Sequence, residues 1–244
     1  MRRPRLGTRR VQEEQIVNAT SPRSRVSLNR LATAAIVGQV VLMASALLLP
    51  LVSEFSLVGD TMSELVLGRF GWVQTIAFVV AGIGTLALAY ALRQLTTGTW
   101  GSRIGSLLVG VYGVGAVLTA IFPTDRVDSP ADMASLSTTG LIHIAISLVS
   151  FVGMIAAMFI FTRTFALEPR WRVLSPWIVL FPASALSLLF VQSEGPWVGL
   201  MQRLMVGVIA AWIIIVAIRV RAIAASGETG ASEQRYYSES PQRI

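Results

Sequence analysis

His143 is the only histidine in the chain, and Asp125, Asp128 and Asp132 precede it within residues 122–147. An imidazole oriented by a carboxylate is a general base or a ligand-binding group. Asp125 and His143 are therefore the best catalytic candidates. His143, Ser147 and Ser150 follow i, i+4, i+7 spacing and share one helix face. No recognisable nucleophile motif or metal-ligand set accompanies them. The plainer readings stay open. His143 bonds a neighbouring helix, through Gln74 or Gln202, and Asp125, after Pro123 and Thr124, organises its own turn.

Composition removes several chemistries. With no cysteine there are no disulfides, thiolate metal sites or cysteine nucleophiles. One histidine excludes bis-histidine haem and zinc sites built on two imidazoles. No cofactor and no metal are expected.

The elements that position these residues are membrane spans. The chain is 54% hydrophobic and only 14% charged over 244 residues, against about 25% charged for a soluble domain. Six apolar runs are long enough to cross a bilayer, at 31–51, 72–92, 104–122, 141–161, 173–191 and 198–220. Prolines 176 and 182 are expected to bend the fifth. All positive charge is arginine, which suggests a GC-rich bacterium, and eight arginines lie in the first 30 residues. Arg93, Arg103, Arg163, Arg170, Arg172, Arg219 and Arg221 mark alternate loops, while Glu54, Asp60, Glu64, Asp125, Asp128, Asp132 and Glu194 mark the others. The positive-inside rule then predicts both termini in the cytoplasm. The expected fold is all-α: a polytopic protein of the bacterial plasma membrane, six transmembrane helices as three outward-closed hairpins. Residues 1–30 and 221–244 are expected to be disordered cytoplasmic tails flanking a membrane domain at 31–220. The pI near 11.1 points to an anionic bilayer surface, not nucleic acid.

A short repeat recurs near the outer ends of the second, fourth and sixth spans. Glycine is followed three residues later by a polar side chain: Gly71/Gln74, Gly140/His143 and Gly199/Gln202. Equal depth would let the three polar groups converge under the outer surface. Asp60, Glu64 and Arg203 complete the candidate pocket. Thr61 and Glu64 stand at capping-box spacing, and Ser129–Asp132 reads as the start of a short helix. Arg203 and Arg69 hold an anionic head group, pair with the outer acids, or snorkel to the interface. Ser106/Gly110 and Gly115/Thr119 allow close helix approach. Trp72, Trp100, Trp171, Trp177 and Trp197 suit an interfacial belt.

The stretches "SELVLGRFGWVQTIAFVVAGIGTLALAYAL", "FPTD", "TTGLIHIAIS" and "QRLMVG" resemble the bacterial membrane family called domain of unknown function 998. The resemblance spans residues 31–220 and rests chiefly on Phe-Pro-x-Asp followed by Gly-x-x-His. It implies a six-span membrane protein and no established reaction or cofactor. The expected function is a non-catalytic module whose outward polar pocket takes a small molecule or lipid head group. The alternatives are a membrane-embedded hydrolase or transferase using Asp125 and His143, and an accessory subunit. Expected partners are the bilayer, that ligand, and a membrane protein or second copy.

Overall fold

A computed structural model describes residues 22–96, 100–127, 132, 134–174, 178–191 and 196–239. Among these residues there are six α-helices and no strand: α1 Pro22–Leu48, α2 Gly71–Leu95, α3 Trp100–Ile121, α4 Thr138–Leu167, α5 Leu180–Val191 and α6 Val198–Glu239. Helices are the expected solution for apolar segments, because they satisfy every backbone group within the segment. Five segments are long and apolar enough to cross a membrane: Val26–Val52, Gly71–Leu95, Trp100–Ile121, Thr138–Leu167 and Val198–Ser226.

The expected fifth span is the exception. Arg172–Leu174 forms a 3-10 turn, and α5 has 12 residues. That is about 18 Å of helix against a hydrocarbon core of about 30 Å. Pro182 occupies the first turn of α5, where its missing N–H costs nothing. Pro176 and Trp177 lie outside the described residues, as does all of Ser129–Asp132 except Asp132. α6 runs on as far as Glu239, into residues read from sequence as tail.

The helices form a ring in chain order. Each packs on the next, and α6 closes the circle against α1 and also touches α2. α2 shows the governing pattern: Gln74, Ala77, Phe78, Ala81, Thr85, Leu88 and Leu92 are buried at spacings of three and four, while Trp72, Ile76, Ile83 and Tyr90 point outward. Glycines set the closest approaches. A Cβ on Gly38 would lie 2.8 Å from Val80 O, and one on Gly84 2.5 Å from Ala34 O, so α1 and α2 meet backbone to backbone. In α3, a Cβ on Gly115 would collide with Ser150 Oγ of α4, whereas one on Gly110 would meet only Ala89 Cβ, at 3.9 Å. Gly110 thus fronts open space rather than a helix seam.

Two ends are chemically distinct. Asp60, Glu64 and Asp125 mark one, the acidic end. Arg93, Arg103, Arg170, Arg219 and Arg221 mark the other, where Arg219 donates from Nε to Arg170 O at 2.7 Å and Arg221 Nε to Asn29 Oδ1 at 2.9 Å. Inside the bundle, Phe165 stacks on Trp171 with centroids 4.4 Å apart, and Phe161 and Trp212 complete the aromatic cluster. Trp171 is fully buried, so it belongs to the core and not to an interfacial belt. Trp72, Trp100 and Trp197 are exposed, as a belt requires.

Candidate functional site

α3 stops at Ile121, and the chain leaves through Pro123 without regular structure. The Phe122 carbonyl is among those a helix C-terminus leaves over. His143, one turn into α4, takes it: Nδ1 lies 2.8 Å from Phe122 O. A carbonyl only accepts, so Nδ1 carries the proton and Nε2 of the neutral ring is the acceptor. Asp125 makes the opposite contact. Its carboxylate accepts from Ser137 N at 2.6 Å and Ser137 Oγ at 2.9 Å, and Ser137 Oγ caps α4 by accepting from Gly140 N at 3.0 Å. The carboxylate thereby sits at the positive end of the α4 dipole. A Cβ on Gly140 would collide with Asp125 Oδ2. Asp125 and His143 are thus brought to the same hairpin but not to each other; each has another partner.

The first acidic loop is locked by its own capping box. Glu64 Oε2 accepts from Thr61 N at 2.6 Å and Thr61 Oγ1 at 2.8 Å, and Glu64 N donates back to Thr61 Oγ1 at 3.3 Å. Glu64 is buried, and its other oxygen accepts from Val127 N at 3.3 Å, tying this loop to the next. Asp60 accepts from Ser56 N and faces Arg126 Nη2 at 3.9 Å. Such a part-exposed ion pair is worth about 0–1 kcal/mol. Arg69 is exposed, over the Phe70 ring at 5.4 Å.

α6 supplies the third contribution. Gln202 Oε1 accepts from Met62 N at 2.7 Å. Arg203 is 3% exposed and does not snorkel. Its Nε donates to Ala46 O at 3.0 Å and its Nη1 to Asp60 O at 2.6 Å and Gly199 O at 3.1 Å. Its Nη2 is buried with no partner among the described residues.

The three repeat glycines have one physical role. A Cβ on Gly71 would collide with Val66 O, on Gly140 with Asp125, and on Gly199 with Asp60 O. Each lets a loop lie directly on the first turn of a helix. The polar residue three positions on differs in use. His143 and Gln202 bond the chain, but Gln74 is 0% exposed and neither polar atom of its amide has a partner among the described residues. Beneath the loops is a cavity of about 40 Å³, with Ser63, Thr119, Ser147, Ser150 and Gln202 in its wall. Ser150 Oγ already donates to Ile146 O at 2.6 Å. Sequence reasoning read Thr119 only as a packing position, and it missed Ser63 and the buried pair Gln39–Thr85, whose Nε2–Oγ1 distance is 3.1 Å. A lone glutamine inside an apolar run was the available signal for Gln39. Among the described residues no three acids or histidines cluster as a metal site would.

The family model described as "Protein of unknown function (DUF998)" matches residues 35–219. No curated protein and no solved structure matches the chain.

Proposed function

The chain belongs to the DUF998 family, and we propose that it is a non-catalytic membrane module that binds a small polar molecule, or the polar tip of a lipid head group, at its acidic end. One observation carries this reading. Gln74 is wholly buried with both amide atoms unpaired among the described residues, whereas its counterparts in the repeat, His143 and Gln202, each have a bond. Burying such a group without a partner costs about 1–3 kcal/mol, so a partner of its own is the economical explanation. The cavity of about 40 Å³ beneath the loops has room for only a few heavy atoms; its lining is mostly apolar and does not include Gln74, so the reading rests on the unpaired amide itself. Asp125 bonds Ser137 and does not orient His143, so the Asp125–His143 pair that the hydrolase reading requires is not formed.

The topology completes the proposal. Residues 31–220 form the membrane domain in a bacterial plasma membrane. Six crossings make three hairpins closed on the outside, residues 173–191 provide the fifth, and both termini are cytoplasmic. The arginine asymmetry and the ring order of the helices support this arrangement.

The test is mass spectrometry of small molecules and lipids co-purified with the wild type and with Gln74→Leu. A species enriched in the wild type and lost from a folded Gln74→Leu protein supports the reading. Identical profiles overturn it and make Gln74 a packing residue.

A further inference from the structure

A second site lies at the opposite end of the ring. α3 packs between α2 and α4, and its outer surface is the floor of a groove of about 780 Å³ with α2 and α4 as walls. Arg93 of α2 and Arg103 of α3 both line its mouth. Both are exposed, and neither has an ion-pair or hydrogen-bond partner among the described residues. From Arg103 the floor runs through Ser106 and Gly110 to Leu118. That is about 22 Å at 1.5 Å per residue, beyond the midplane of a hydrocarbon core about 30 Å thick.

We propose that this groove binds one anionic phospholipid, with its phosphate between Arg93 and Arg103 and an acyl chain along the floor over Gly110. Three independent features fit that occupant. Two guanidiniums at one end match a phosphate, which arginine grips through paired N–H donors. Beyond them the lining is almost entirely apolar, as a lipid tail requires. Ser106 is 4% exposed, lines the groove one turn from Arg103, and its Oγ has no partner among the described residues. It is placed to donate to a glycerol ester, and Tyr90, one turn deeper than Arg93 on the same face, reaches the same level. Snorkelling alone would bring two arginines to the interface. It would not leave a glycine-floored channel below them. The groove shares Gly115 and Ser150 with the cavity at the acidic end, but its arginine mouth does not, and the proposal does not rest on the acidic-end reading.

The experiment is native mass spectrometry of the full chain in detergent, titrated with phosphatidylglycerol, with phosphatidylcholine of the same acyl chains, and with inorganic phosphate. The wild type is expected to retain phosphatidylglycerol about 10- to 30-fold better than phosphatidylcholine, the preference two arginines supply at a membrane surface. Arg93→Gln with Arg103→Gln should erase that preference. Gly110→Leu should abolish retention of phosphatidylglycerol with both arginines in place; a Cβ there meets only Ala89 Cβ, at 3.9 Å, and an unchanged thermal midpoint checks that the variant is folded. Equal retention of the two lipids by the wild type would overturn the proposal. So would full retention by Gly110→Leu, phosphate bound without lipid, or a dimer mass that Gly110→Leu alone removes, which would make the groove a seat for a second copy.

Discussion

His143 Nδ1 donates to the Phe122 carbonyl across 2.8 Å, and the two residues are 21 positions apart in the chain. Together with Asp125 on the first turn of α4, this contact braces one hairpin at two points. The two halves of the Phe-Pro-x-Asp and Gly-x-x-His pattern recognise each other.

Replacing His143 by alanine leaves the Phe122 carbonyl without its partner. The expected cost is about 1–3 kcal/mol, read as a lower thermal midpoint in detergent. His143→Asn and His143→Gln keep a side-chain N–H and should recover part of the loss. Equal stability of alanine and wild type would show that the bond contributes nothing.

Gly140→Ala should destabilise by about 1–3 kcal/mol, the usual range for forcing extra volume into a packed site. The atom it meets belongs to the Asp125 side chain, so Asp125→Ala relieves the collision. The double variant should be less damaged than the sum of the singles. Gly71→Ala and Gly199→Ala meet backbone and have no such rescue. Gly110→Ala meets neither and should be close to neutral.

Gln74→Leu reverses the usual direction for a core substitution. It removes two unpaired buried polar atoms from a site of similar volume. Without ligand, the variant should be more stable by about 1 kcal/mol. A clear loss of stability would mean that Gln74 makes a bond within the folded chain after all.

The chain has no native cysteine, so single-cysteine variants report topology without background. Glu54 and Ala225 are both exposed, one at each end. An impermeant maleimide applied to intact cells should label Glu54→Cys and spare Ala225→Cys. The opposite pattern would invert the proposed orientation.

Much of the architecture was legible as hydropathy, because a bilayer imposes length and apolarity on each span independently of the rest. The fifth segment was legible only as an apolar run: hydropathy does not say how much of it is continuous helix, and α5 has 12 residues. The repeat glycines were legible by spacing, but their purpose was not: whether a glycine admits a loop, as Gly140 does, or fronts a groove, as Gly110 does, depends on which neighbour arrives. The same holds for partners. Asp125 and His143 are the obvious pair by residue type, yet a helix cap and a leftover carbonyl, neither of them a side-chain signal, compete for them and win.

Ring closure also fixes an order of assembly. Arg203 and its acceptor Ala46 O are 157 residues apart, and α1 packs on α6 as well as on α2. During synthesis α1 and α2 can pair early, through their glycine faces, but α1 keeps one flank open until the last helix leaves the ribosome. The nascent protein therefore spends most of its translation as an unclosed arc, the period in which an insertase or membrane chaperone has a surface to guard and a protease has one to recognise.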